Sequence, residues 1–167
     1  MAGSINPEGA CGAIKAILTS DLPAKLDLLD TEYNDAVVLE DVAAYWLAPQ
    51  ARYDLYPAVV IVIRSSDIPE DLRNQMIQWH QIEVQVLLAG NDVNATLTTP
   101  GEMLAARLQR TVRGIQEVLK AKQQLTITAV DYCDHQILTG IDYSDFFDVE
   151  QGMRRDARLM YAVMVST

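Results

Sequence analysis

The apolar positions of this chain repeat with two periods, and the switch between them locates its elements. From Gln81 to Leu88, Ile82, Val84, Val86 and Leu88 alternate with Gln81, Glu83, Gln85 and Leu87, the period of two expected of a strand buried mainly on one face. Gly90-Asn91-Asp92 breaks that pattern. Thr99-Pro100-Gly101-Glu102 then carries the marks of a helix start: a hydroxyl N-cap, a proline at the first helical position, and a carboxylate that can reach back to the cap amide. Leu104, Leu108, Val112, Ile115 and Leu119 recur every three or four residues, which places them on one face of a helix running to Lys122. Arg107, Arg110, Arg113, Glu117 and Lys120 fall on the other face.

The same reading extends over most of the chain. A helix beginning near Pro7-Glu8 presents Ala10, Ile14, Ile17 and Leu18, and a helical stretch from about Asp21 presents Leu22, Leu26 and Leu29. Pro23, in the first turn of that stretch, leaves open whether these are one helix or two. Asn34 to Tyr56 has no dominant period: Val37 to Leu39 suits a strand and Glu40 to Trp46 a short helix. Ala58-Val59-Val60-Ile61-Val62-Ile63 is a β-branched run and predicts a strand buried on both faces. A polar connection through Ser65, Ser66, Asp67 and Pro69 follows, and Trp79-His80 leads into the alternating strand. Leu125, Ile127 and Ala129 alternate with two threonines and predict a third strand. Leu159, Tyr161, Val163 and Val165 predict a last one within Ala157 to Val165. Between these lies an aromatic, acidic segment at about 132–156 without clear periodicity, which reads as a long loop.

The order is therefore α-β-β-α-β-β, and the predicted fold class is α+β: a two-layer domain in which helices cover a four-stranded, mostly antiparallel sheet. At 167 residues the chain suits one domain, 1–167. Half its residues are apolar, as in a globular protein. No apolar run reaches the length of a bilayer span, and Met1 to Pro7 lacks a basic, apolar leader, so a soluble, intracellular protein is expected. In that setting the sequon Asn94-Ala95-Thr96 is a coincidence, and Cys11 and Cys133 are expected as free thiols.

A formal charge of -10 argues against a protein whose task is to grip nucleic acid, because such binding neutralises phosphates with Lys and Arg. The charge is unevenly spread. Asp131, Asp134, Asp142, Asp145, Asp148 and Glu150 lie in a stretch with no Lys or Arg, whereas the helix through Arg107, Arg110 and Arg113 is basic and Arg154, Arg155 and Arg158 form a second basic cluster. Charge runs are ordinarily solvated faces. A sharper expectation is that copies of the chain meet basic face to acidic loop, as a head-to-tail oligomer requires.

Candidate chemistry is sparse. Asp131-Tyr132-Cys133-Asp134-His135 mixes metal-ligand types, but strand alternation would put Cys133 and His135 on one face and Asp134 on the other, and no fourth ligand is evident. His80, the other histidine, stands beside Trp79. No nucleophile elbow, phosphate-cradling loop or dinucleotide fingerprint occurs. The aromatics, Trp46 and Trp79 among them, read first as core or interface. No catalytic residue, metal or cofactor is predicted.

The leading helix, the strand after Tyr56-Pro57, the alternation His80-Gln81-Ile82-Glu83-Val84-Gln85-Val86, the capped helix with Arg107 to Leu119, and the terminal Tyr161-Ala162-Val163-Met164-Val165 together resemble the tail-terminator and neck proteins of long-tailed bacteriophages. The resemblance spans Pro7 to Thr167. It implies a virion protein assembled in the host cytoplasm as a ring, commonly hexameric, at the head-proximal end of the tail tube. Its partners would be its own copies, the tail tube protein and the head-tail connector or adaptor. DNA would pass through without specific binding, and no membrane would be involved. In that setting Asp142, Asp145, Asp148 and Glu150 are candidates for the lumen or a ring-to-ring contact, and Arg107, Arg110, Arg113, Arg154 and Arg155 for the subunit interface. Two alternatives stand beside it: a head-tail adaptor or tail-tube subunit, and a small cytoplasmic enzyme or ligand-binding domain using the Cys133-Asp134-His135 stretch.

Overall fold

The computed structural model describes residues 7–67 and 77–166. The Pro69 connection and the leader reading of residues 1–6 fall outside them. The chain forms α1 (Pro7–Tyr33), β1 (Ala44–Trp46), β2 (Ala58–Asp67), β3 (Ile77–Gly90), α2 (Pro100–Lys120), β4 (His135–Tyr143), β5 (Phe147–Val149) and β6 (Gly152–Ser166). The α+β class holds, but the sheet is mixed and has six strands where four were expected. Its order is β1-β2-β3-β6-β4, with β5 also paired to β6. β1 runs parallel to β2, and every other pairing is antiparallel.

The β3–β6 pair forms the centre of the sheet, in register from Ile77↔Ser166 to Gly90↔Met153 without a break. Alternation then sorts the side chains. Ile82, Val84, Val86, Leu88, Leu159, Tyr161, Val163 and Val165 face the helices and share one core with Leu18, Leu22, Leu26, Leu108, Ile115 and Leu119. β2 is buried on both sides, as its sequence predicts: Val59 and Ile61 join that core, while Ala58, Val60 and Val62 form a second cluster with Leu87 under Tyr53 and Tyr56.

α1 is one helix of 27 residues with Pro23 inside it. Its buried leucines continue on both sides of the proline, and their burial against α2 outweighs the lost backbone bond. α2 begins as predicted: Glu102 N–H donates to Thr99 Oγ1 at 3.3 Å and Thr99 N–H to Glu102 Oε2 at 3.2 Å, a reciprocal capping box. It ends at Lys120, where the Ala121 N–H closes the last turn on Glu117 O. No helix of the described residues is long and apolar enough to cross a membrane.

Three expectations fail for identifiable reasons. Leu125 to Ala129 is not a strand: Leu125, Thr128 and Ala129 have φ of 51°, 50° and 63°, and Ile127 and Val130 exchange both backbone hydrogen bonds at 2.9 Å around a two-residue turn. Alternation survives there only because Leu125 plugs the core. The acidic segment at 132–156 is mostly strand, and a bulge between Leu138 and Gly140 inserts Thr139 and shifts the inward positions from Gln136 and Leu138 to Ile141 and Tyr143. That shift erases the period of two. Neither alternative for 34–56 forms in full: Val37 and Leu39 are buried in an extended segment whose amides donate to Asp35 and Asp30, and only Ala44–Trp46 pairs with β2.

The two helices approach closely at Gly114, where a Cβ would stand 3.1 Å from Leu26 Cδ2 and 3.3 Å from Leu22 Cδ1. A large side chain there must push α1 from α2. Gly114→Leu is expected to destabilise the fold by about 1–3 kcal/mol, the usual cost of overpacking, in chemical denaturation; an unchanged midpoint would mean the helices are not in contact at this point.

Candidate functional site

The five arginines predicted for an interface are engaged within the chain. Arg107 donates to Asp92 Oδ2 at 2.7 Å and to Val38 O at 3.0 Å. Arg110 makes a two-bond fork with Asp35, at 2.8 and 2.6 Å, and stacks 3.9 Å from the centre of the Tyr33 ring. Arg113 reaches Glu32 at 2.9 Å, Glu117 at 2.8 Å and the Tyr33 hydroxyl at 3.1 Å. The hydrogen bond from Arg110 holds Asp35 well below the usual carboxylate range, at about 2. This side of α2 is a brace that ties it to the C-terminal end of α1 and to the segment that follows.

Arg154 and Arg155 do the same work on β6. Arg154 forks onto Asp156 at 2.8 Å through Nε and Nη2, and its guanidinium lies within 4.8–5.8 Å of the ring centres of Phe147, Tyr53 and Tyr56. Both members of the pair are largely buried. They pin the segment before β2 and the β5 hairpin over one end of the sheet, helped by a contact of Arg52 with Glu150. A cavity of about 340 Å³ lies between these parts. Arg155 donates to Ser144 O at 2.9 Å and lies over Phe146.

The four acidic candidates are spread over both sides of the sheet, since Asp142 pairs with Arg158 on the uncovered face and Asp148 with Met153, which packs against the helix-side core. Asp142 closes β4 opposite Arg158, Asp145 lies in the turn before β5, Asp148 in β5 and Glu150 in the turn into β6, and all are exposed. Among the described residues Asp145 and Asp148 have no ion-pair partner, in contrast to the arginines.

The Asp131–His135 cluster is dispersed. Cys133 precedes the strand and is buried in the helix-side core, its thiol donating toward Gln123 O at 3.6 Å. His135 is exposed and pairs with Met164 on the side away from the helices. The expectation that the two share a face is therefore corrected: β4 begins only at His135, so strand alternation does not apply to Cys133. Among the described residues no group of three His, Cys, Asp or Glu side chains could hold a metal ion. Burial raises the thiols to about 11 for Cys11 and about 12 for Cys133, so neither is a thiolate near neutral pH.

Two features were not singled out from the sequence. The first is the sheet face away from the helices, which carries Gln81, Glu83, Gln85, Arg158, Met160, Ala162, Met164 and Ile137. Arg64, at the β2 bulge, clamps Glu83 there with bonds of 2.7 and 3.1 Å, leaving Glu83 buried. The second is a groove of about 310 Å³ between the end of α2 and β4, lined by Gln116, Lys120, Gln136, Leu138 and Tyr161 among others. Gln136 donates to Leu119 O at 2.7 Å and ties β4 to the helix end. The Tyr161 hydroxyl is buried with no hydrogen-bond partner among the described residues. A tyrosine at a core-facing strand position was the available signal.

No family model and no curated protein matches this chain.

Arg154→Ala leaves Asp156 unpaired and the Tyr53, Tyr56 and Phe147 rings without their common partner, so a loss of about 3 kcal/mol is expected in denaturant titration. Arg154→Lys, lacking the fork, should recover only part of it. His80 is buried, with Nδ1 2.7 Å from Ser66 Oγ and Nε2 unpartnered, and burial lowers its pKa below 6.5. The unfolded chain then takes up the proton first. Stability is whole above pH 6.5 and falls as the pH drops from there towards the folded value, by up to about 1.4 kcal/mol per unit. In His80→Gln this slope should vanish; a wild-type curve flat from pH 7 to about 5.5 would refute the assignment.

Proposed function

We propose that this protein is a structural subunit of the tail-terminator or neck type in a long-tailed bacteriophage, assembling into a ring at the head-proximal end of the tail tube and joining it to the head. The observation that carries the reading is the one-sidedness of the sheet. Two helices cover one face, while the other face is closed by Tyr53 and Tyr56 at one end only and stays open around Ile137, and the outer strands β1 and β4 each pair on one side among the described residues. A ring needs two different faces of the same subunit to complement each other, and a sheet with two distinct edges supplies them. The partners in this reading are its own copies, the tail tube protein and a head-tail connector.

The acidic hairpin at Asp142, Asp145, Asp148 and Glu150 fits a wall of the DNA passage or a contact with the adjoining ring. Asp145 and Asp148 project outward with no ion-pair partner among the described residues, while Glu150 pairs with Arg52 and the nearby Arg154 and Arg155 are engaged internally. A negative lumen lets phosphates pass, whereas a positive one would retain them. The arginines of α2 act in this reading as braces inside the subunit.

Mass photometry and negative-stain imaging of the purified chain test the proposal directly. Closed rings of one size are expected; open filaments would favour a tail-tube subunit, and a strict monomer at high concentration would sink the reading. Reversing both Asp145 and Asp148 to lysine should make the ring retain duplex DNA in a salt-sensitive way. If neither DNA retention nor ring docking changes, the hairpin does not line the passage.

A further inference from the structure

Resting on the ring reading, we infer that neighbouring subunits join sheet to sheet: β1 of one copy adds antiparallel to the outer edge of β4 in the next, with its Trp46 beside Ile137. β1 and β4 are the terminal strands of the sheet, and among the described residues β4 is paired on one side only, with β6. A nine-residue edge of this kind presents a row of outward amides and carbonyls that need partners. Strand directions decide which partner fits. β1 is parallel to β2, and three antiparallel pairings separate β2 from β4, so β1 and β4 run in opposite directions. Copies related by rotation about an axis along the strands therefore bring β1 to β4 antiparallel, the better-bonded arrangement.

The side chains agree with this pairing. Tyr45 faces the helices, donating from its hydroxyl to Leu18 O at 3.3 Å, and alternation places Trp46 on the other side. Trp46 falls on the side of Ile137, which is paired with Ala162 on the uncovered face. Both are apolar and exposed at the two edges: Trp46 by 39% and Ile137 by 51%. The contact is heterologous, using a different edge from each subunit, so it propagates around a ring without consuming the acidic hairpin.

A double variant, Trp46→Cys with Ile137→Cys, tests the pairing, because Cys11 and Cys133 are buried and do not compete. Mild oxidation should yield a ladder of covalent oligomers on a non-reducing gel, with neither single variant giving one. Ile137→Lys should keep the wild-type melting temperature and raise the concentration needed for assembly at least about tenfold, the scale of a central interface side chain. Wild-type rings with no ladder and with unimpaired assembly of Ile137→Lys would overturn edge joining and leave the ring reading standing. A covalent dimer from Ile137→Cys alone would assign β4 to a two-fold contact and likewise overturn it. A wild-type chain that stays monomeric would remove both.

Discussion

The structure depends on the central antiparallel ribbon of β3 and β6. Fourteen residues of β3 pair with β6 without a register shift, so alternation along both strands delivers one continuous apolar surface. α1 and α2 exist as packed helices because they cover that surface. Their own contact at Gly114 and the arginine brace around Arg110 and Arg113 fix the pair over the ribbon. Everything outside the ribbon is added laterally: β2 and then β1 on one side, β4 on the other, with β5 over the end of β6.

Two helices are enough for one face of such a sheet and no more. The uncovered face is handled in three ways along its length. At one end Tyr53 and Tyr56 close over Leu87, held by the buried Arg154–Asp156 pair. In the middle Arg64 shields Glu83. Further on, Ile137, Met160 and Met164 stay open or half-open to solvent. Among the described residues two buried side-chain atoms are left without a hydrogen-bond partner, Nε2 of His80 and the hydroxyl of Tyr161.

The charge pattern takes on a different meaning once the chain is folded. The basic stripe of α2, which in the sequence looks like a surface offered to a partner, is the cation half of an internal network with Glu32, Asp35 and Asp92. Asp35 and Asp92 lie outside the periodic segments and Glu32 on a different helix, so spacing along the chain could not assign these partners. The acidic residues from Asp142 to Glu150 remain outward, and the net charge of the surface is shaped by them.

The sequence by itself determined the elements whose signal is local. The capping box at Thr99, the leucine stripe of α2, the alternation of β3 and the inward residues of β6 all follow from backbone geometry acting over a few residues, and all are present. It did not reveal β4, because one extra residue at Thr139 reverses which side chains face inward, nor the turn at Thr128-Ala129, because alternation there reflects a single buried leucine. Only the tertiary structure decided the sheet order, the pairing of each arginine, the separation of Cys133 from His135, and the groove at Tyr161. These depend on residues far apart in the chain meeting in space, and spacing along the chain carries no record of that.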